Sequence, residues 1–570
     1  MTLWIDGQRT ETVAGESVLD AVRRLGLDYP ELSRRPLAAR IAGETFTLNY
    51  VPERIGESLT SVRRAMEASG GRMTLLRYAD PRGRRVYTRT VQFVLFLAIR
   101  QLYPNAVAKM NFTVGEALNV TVEKEPAFTP ADVPQLKERV AQLVAADIPL
   151  RRKRIATQEA IAAFTASGQT DQARLLAWRK VPYFDVYTYG DYLDYFYGEM
   201  APSTGYLSVW DMVTDGGCGI QFCFPDPADP DRVSHNRELP NFSAVFAESE
   251  RWCTLMGCST VADLNELVQQ GRLSELIRVN EALHERSFSR IADQILDRHA
   301  KAVLLAGPSS SGKTTSANRL AVQLRVRGKK PVLISLDDYY RNRNEIAPGP
   351  DGKLDLEHIN TIDTQLFRRD LSALLQGEAV QLPRFDFLTG RRTAGGQRLQ
   401  MDEDAVVLVE GLHGLNPALL PGDVDPNLIF RVYVSALLPL NLDNHNRIPT
   451  SYLRLLRRIV RDYETRGASV SHTLAMWDSV RQGEERWIFP YQEHADVIFN
   501  SSLLYELAVL KKHIFPLLNA VTWEEPCYEE VRSIVKILNY VLEADADDEI
   551  PPTSLLREFI GGNSFYRKKQ

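Results

Sequence analysis

Apolar residues along the chain change their spacing several times, and each change predicts an element. LWIDGQRTETV alternates around Asp6-Gly7 as a hairpin does, SVLDAVRRLGL repeats at helical spacing behind Ser17, and LAARIAG and TFTLNYV return to strand spacing. A compact ββαββ module over residues 1–62 is expected. Over 63–230, TVQFVLFLAIRQLYP predicts a long helix, MNFTVG and LNVTVEKE predict strands, and a charged helix follows, so an α+β domain is expected. Residues 231–290 read as a polar helical connector. Over 291–515, wholly apolar strands (AVLLA, PVLIS, AVVLVE) alternate with helices, the pattern of a parallel sheet flanked by helices, and 516–570 read as a C-terminal helical extension. The fold class is therefore multidomain α/β, which a chain of 570 residues requires because one core does not grow so large.

Sixty-eight basic against seventy-three acidic residues leave a net charge of −5, with no global attraction toward nucleic acid or anionic membrane. No run of about 18 apolar residues is present, and MTLWIDGQRT lacks the basic and apolar regions of a secretory leader; a cytoplasmic protein is expected. Cys218, Cys223, Cys253 and Cys258 form two C-x4-C pairs, read as ordinary reduced thiols rather than a zinc site.

Chemistry begins at AVLLAGPSSSGKTTSANRLAVQL, an apolar strand, a glycine-rich turn and a helix in direct succession. Gly307, Gly312, Lys313 and Thr314 fit G-x-x-x-x-G-K-[ST], and the cradle Gly307, Pro308, Ser309, Ser310, Ser311, Gly312, Lys313, Thr314 and Thr315 would turn backbone N–H groups onto the phosphates of ATP. Lys313 would neutralise phosphate charge, and the Thr314 hydroxyl would bind Mg2+ together with Glu410, which ends the strand AVVLVE. No N/T-K-x-D guanine signature follows. PVLISLDDYYR delivers Asp337 and Asp338 at a strand end, where ligands of parallel sheets bind. Asp337 is expected to be the general base; alternation in an extended segment would turn Asp338 away.

GPSSSGKTT, ISLDDYYR, LEHINTID, LPRFDFLTGRR, VVLVEG and LRRIVRDYETRG stand in the order of the uridine kinase and phosphoribulokinase group, which residues 295–500 resemble. The resemblance implies that Tyr340, Glu357, Phe385 and Phe387 bind a nucleoside, and that Arg458, Arg461 and Arg466 close over the phosphates, Arg458 also reaching the substrate. Two positions depart from it: Gly390 replaces a base-contacting histidine, and Ala468 a further arginine. The polar insertion NLDNHNRIPTSY, with His445, Asn446 and Arg447, is either a second way of reading the substrate or a solvated loop.

The first module resembles the TGS domain of threonyl-tRNA synthetases, and 63–230 resembles the editing domain of threonyl- and alanyl-tRNA synthetases. Matching LYP and PSTG puts Arg89, Phe93, Phe196 and Met200 at the metal-ligand positions, where none suits zinc. An ATP-dependent nucleoside kinase is expected, with homo-oligomerisation left open. The alternatives are a kinase of another small-molecule alcohol, or a regulatory ATP-binding protein whose N-terminal domains touch tRNA through Arg82–Arg89 and Arg151–Arg154.

Overall fold

The computed structural model describes residues 2–51, 60–215, 219–234, 239–346, 355, 357–386, 389–393, 396–422 and 424–566. It divides into two units. One comprises Met1–Glu238, Thr260–Ala262 and Asn441–Arg447, and the other Leu239–Ser259, Asp263–Leu440 and Ile448–Gln570.

In the first unit Thr2–Ile5 and Gln8–Glu11 pair as a hairpin, turned by Asp6 and Gly7, both at positive φ. Ser17 caps helix Val18–Arg24: its hydroxyl accepts the Asp20 N–H, and the Asp20 carboxylate accepts the Ser17 N–H. The five-stranded sheet is centred on Arg72–Leu76, parallel to Thr2–Ile5 and antiparallel to Ala38–Ile41. The module expected to end at 62 therefore draws its central strand from beyond that boundary. Helix Pro81–Leu102 buries Val86, Val91, Val94, Leu95 and Ile99 in the same continuous core as this sheet. A four-stranded antiparallel sheet (Asp211–Thr214, Gly219–Cys223, Ala117–Glu123, Val107–Val114, in that order) and a three-stranded one (Tyr192–Asp194, Tyr183–Tyr189, Arg152–Ala156) complete the unit.

Of the positions matched to metal ligands, Phe93, Phe196 and Met200 are core residues, and Arg89 donates to the Glu199 carbonyl at 3.2 Å. Within the basic cluster, Arg152 pairs with Glu199 at 2.8 Å and Arg154 with Asp185 at 2.8 Å, so half of its charge is spent inside the unit. Among the described cysteines, Cys223, Cys253 and Cys258 are buried.

The insertion expected to be a solvated or substrate-reading loop is neither exposed nor free of partners: Asp443, His445 and Asn446 are buried in the first unit. The His445 ring stacks on Phe96 with centroids 3.8 Å apart, and its Nδ1 lies 2.6 Å from the Asp194 carboxylate. Burial disfavours charge on this imidazole, but the Asp194 carboxylate outweighs it and raises the pKa. Asp194 also accepts from the Tyr192 hydroxyl at 2.7 Å and its neighbour's N–H at 2.8 Å, while the Tyr195 hydroxyl donates to Asp443. The Asn444 N–H donates to Asp171 at 2.6 Å, and the Asn441 amide to the Met110 carbonyl at 2.9 Å.

The second unit is built on five parallel strands in the order Lys330–Ser335, Ala405–Glu410, Ala302–Ala306, Ile429–Ser435, Val497–Asn500. Ala302–Ala306 lies at the centre and is wholly buried, hence its unbroken apolar run. Helices cover both faces; Leu320 and Leu324 pack on one side and Phe367 and Leu371 on the other. No helix among the described residues is long and apolar enough to cross a membrane.

Replacing Asp194 with Ala would strand three donors, two of them buried, the Tyr195 N–H and the imidazole of His445. The expected cost is about 3–5 kcal/mol in chemical denaturation of the full chain; a loss below about 1 kcal/mol would show that the cluster is not held by this carboxylate.

Candidate active site

The central strand ends at Ala306, the chain turns through Gly307–Gly312, and helix Lys313–Val326 begins. Two glycines are required here. A Cβ on Gly307 would stand 2.1 Å from the Val434 carbonyl oxygen of the neighbouring strand. Gly312 takes φ +86, and a Cβ there would meet Leu555 at 2.0 Å. The Lys313 ammonium donates to the Pro308 carbonyl at 3.1 Å. Burial lowers its pKa, while the charges of Glu410 and Asp337 work the other way.

The outer side of the loop is held carbonyl by carbonyl. Arg454 donates to Ser309 O at 3.0 Å, Arg457 to Ser310 O at 3.4 Å, and the Ser501 hydroxyl to Ser311 O at 2.5 Å. Arg454 is paired bidentately with the fully buried Glu484, which also accepts the Ser309 N–H at 2.9 Å. Arg457 is itself fully buried against Glu506 at 2.7 Å. These arginines lie on helix Thr450–Arg466, where spacing of three and four residues puts Arg454, Arg457, Arg458 and Arg461 on one face. Of the three arginines expected to close over phosphates, Arg458 donates to the Ser309 hydroxyl at 3.0 Å. All three pair with Asp462: Arg458 at 3.2 Å, Arg461 at 3.3 Å and Arg466 at 3.1 Å.

Three carboxylates and a phenol gather beside Lys313. The Thr314 hydroxyl donates to Glu410 at 3.4 Å, and the Ser335 hydroxyl donates to the other oxygen at 2.9 Å. Burial, then the Asp337 charge, raises the Glu410 pKa; burial likewise raises Asp337, against the pull of Lys313. Glu357 is pushed up to about 7 by burial and by the charge of Glu484, and one of its carboxylate oxygens is buried without a hydrogen-bond partner. Tyr340 feels Asp337, Glu357 and Glu410 together and is raised by burial most of all. Its ring lies 5.6 Å from that of Phe385. Phe387 lies outside the described residues.

The segment after Ser335 is not extended as expected: Leu336–Tyr339 is a 3-10 turn, its Asp337 N–H capped by the Ser335 hydroxyl at 3.3 Å. Asp338 nonetheless diverges from Asp337, because its carboxylate accepts the Phe385 N–H at 3.1 Å and so anchors the hairpin that carries that ring. Gly390 sits at φ +64, and the Arg343 side chain fills the space where its Cβ would be, at 2.6 Å; a histidine at this position would be both strained and obstructed. Sequence reasoning missed Arg454, Arg457, Glu484, Glu506 and Gly483. Gly483 makes room for Glu357, whose Cβ would be 2.4 Å from a Cβ at 483.

A parallel sheet that ends in a phosphate loop, with a lysine and buried carboxylates facing it, defines an ATP-dependent phosphotransferase. Residues 303–505 match the model of the Phosphoribulokinase / Uridine kinase family. A uridine kinase of Aliivibrio salmonicida (strain LFI1238) is 30% identical over 229 residues, covering 39% of this chain and 98% of the relative. One of Brevibacillus brevis (strain 47 / JCM 6285 / NBRC 100599) is 30% identical over 195 residues, covering 34% and 81%. A solved structure described as "a Possible Uridine Kinase from Bacillus stearothermophilus" aligns at 19% identity over 35% of this chain and 89% of that one; its TM-score of 0.24 is too low to bear on fold or function. The chain belongs to the phosphoribulokinase and uridine kinase family through this region.

Arg457→Ala should destabilise the second unit by about 3–5 kcal/mol, because Glu506 would be left as an unpaired buried charge. The double variant Arg457→Met, Glu506→Leu should recover most of that loss in the same denaturation experiment. No recovery would mean that the pair matters chiefly through Ser310 and Ser501.

Proposed function

We propose that this chain transfers the γ-phosphate of ATP to the 5′-hydroxyl of a ribonucleoside. The observation that carries the reading is the meeting of Asp337, Glu357 and Tyr340 with Lys313 at one end of the phosphate loop. The hydroxyl proton passes to the Asp337 carboxylate as the γ-phosphoryl group leaves ADP; Lys313 and the arginines of helix Thr450–Arg466 take up the charge. Glu357, with an oxygen that no protein group satisfies, accepts from the ribose hydroxyls, and the adjoining rings of Tyr340 and Phe385 offer the base an aromatic wall. Thr314 and Glu410 would offer Mg2+ hard oxygen donors, and a divalent cation there would favour the carboxylate form of Glu410 that burial disfavours. Bound there, the ion would neutralise the β- and γ-phosphates.

Asp337→Asn should lower kcat by about 10²–10⁴ with ATP affinity little changed, and Lys313→Ala should abolish turnover. Asp338→Asn should cost far less, since that carboxylate holds the Phe385 backbone. Should Asp338→Asn carry the large kcat loss instead, the base is assigned wrongly. A coupled assay over the common nucleosides, with mass spectrometry of products, tests the acceptor. With Gly390 shielded by Arg343, strict preference for uridine and cytidine is not expected, and a uridine-over-purine ratio above about a thousand would contradict this.

Glu357 also sets a pH dependence. It carries a proton below about 7 and is a carboxylate above, and the carboxylate accepts hydroxyl hydrogen bonds better. The KM for the acceptor should fall as pH rises through about 7, and Glu357→Gln should hold it at the acid-limb value. A wild-type inflection that survives in Glu357→Gln would assign it to another group.

A further inference from the structure

The segment from Pro551 to Tyr566 lies outside the family-matched 303–505, yet it reaches the phosphate loop. Ser554, Leu555, Leu556 and Phe559 are buried. The Ser554 hydroxyl donates to Glu281 at 2.6 Å, Leu555 packs beside Gly312, and Phe559 lies under the Arg457 guanidinium at 5.1 Å. The short helix Arg557–Ile560 is thus anchored on both sides and presents Glu558 to the loop.

Thr315 is the third residue of helix Lys313–Val326, so its N–H has no partner within the helix, and the N-cap, Gly312, has no side chain to supply one. Glu558 supplies it. Its carboxylate oxygen accepts the Thr315 hydroxyl at 2.6 Å and the Thr315 N–H at 3.3 Å, while Asn563 donates to the same hydroxyl at 3.3 Å. Glu484 does the like for Ser309, but there the carboxylate is neutralised by Arg454. Glu558 makes no ion pair among the described residues, and its charge is felt by Lys313 and Glu410 inside the site. An anion with no cation in direct contact sits on a first-turn donor of the helix that follows the loop.

We propose that Glu558 is an affinity-determining residue of the nucleotide site, contributed by the C-terminal segment: its carboxylate occupies donors that a phosphate group of the incoming nucleotide must take over. ATP binds by swinging this side chain off Thr315 and works against its charge as it does so. The inference rests on the nucleotide-site reading above and adds to it a built-in competitor.

The test is calorimetric titration of the full chain with ATP and with ADP, in Mg2+, comparing wild type with Glu558→Gln and Glu558→Ala. Both variants should bind ATP on the order of tenfold more tightly, with KM for ATP falling in step and KM for the acceptor unmoved. Equal or weaker binding in Glu558→Gln, whose shape and fold are conserved, overturns the proposal and makes Glu558 a brace for the loop. If neither wild type nor variant binds nucleotide, while circular dichroism shows both folded, the nucleotide reading itself falls and this proposal with it. Binding seen only in the variants supports competition in its strongest form.

Discussion

A phosphate loop has to keep a row of N–H groups pointing at a ligand, and a peptide chain can do that only if the carbonyls on its far side are satisfied elsewhere. Here three consecutive carbonyls, of Ser309, Ser310 and Ser311, each receive a donor from Arg454, Arg457 and Ser501. The two arginines are buried, so each needs its own counter-charge, and Glu484 and Glu506 supply it. Helix Thr450–Arg466, helix Val470–Trp487 and the loop after Val497–Asn500 are drawn to the phosphate loop by this one requirement. The position of Glu357 follows from the same arrangement: the helix that brings Glu484 also brings Gly483, and Gly483 leaves the room that Glu357 fills.

Charge distribution follows from the same arrangement. Asp337, Glu357 and Glu410 all lie where burial disfavours ionisation, and the Asp337 charge raises the other two further. Lys313 offsets this at all three, helped by Arg466 at Asp337 and by Arg458 at Glu357. Such a cluster costs stability in the empty protein, and it makes the site receptive to cations and to hydrogen-bond donors.

What could be read along the chain was what is contiguous. The glycine-rich turn was legible because strand, turn and helix adjoin in AVLLAGPSSSGKTT, and the strand-end positions of Asp337 and Glu410 because each follows its own apolar run. Helical spacing alone would have put Arg454 and Arg457 on the face of Arg458 and Arg461. Glu484, Glu506 and Glu558 carried no local signal, since their partners lie 30, 49 and 243 residues away. The ISLDDYY segment was misread as extended because Ser335 caps a turn there, a side-chain-to-backbone bond that alternation of residue types does not encode. NLDNHNRIPTSY looked solvated because it is polar; its carboxylate, imidazole and amides are instead paired with groups some 250 residues earlier.

The membership of Asn441–Arg447 in the first unit has a consequence for biosynthesis. Asp194, Phe96 and Tyr195 leave the ribosome long before His445 and Asp443 do, so the nascent first unit has a buried carboxylate without its imidazole partner and an aromatic face without its stacking ring until some 250 further residues have been translated. Four of the five strands of the second sheet have by then been synthesised. Translation order and folding order therefore diverge, and a gene fragment ending near residue 238 encodes a unit that lacks part of its own interior.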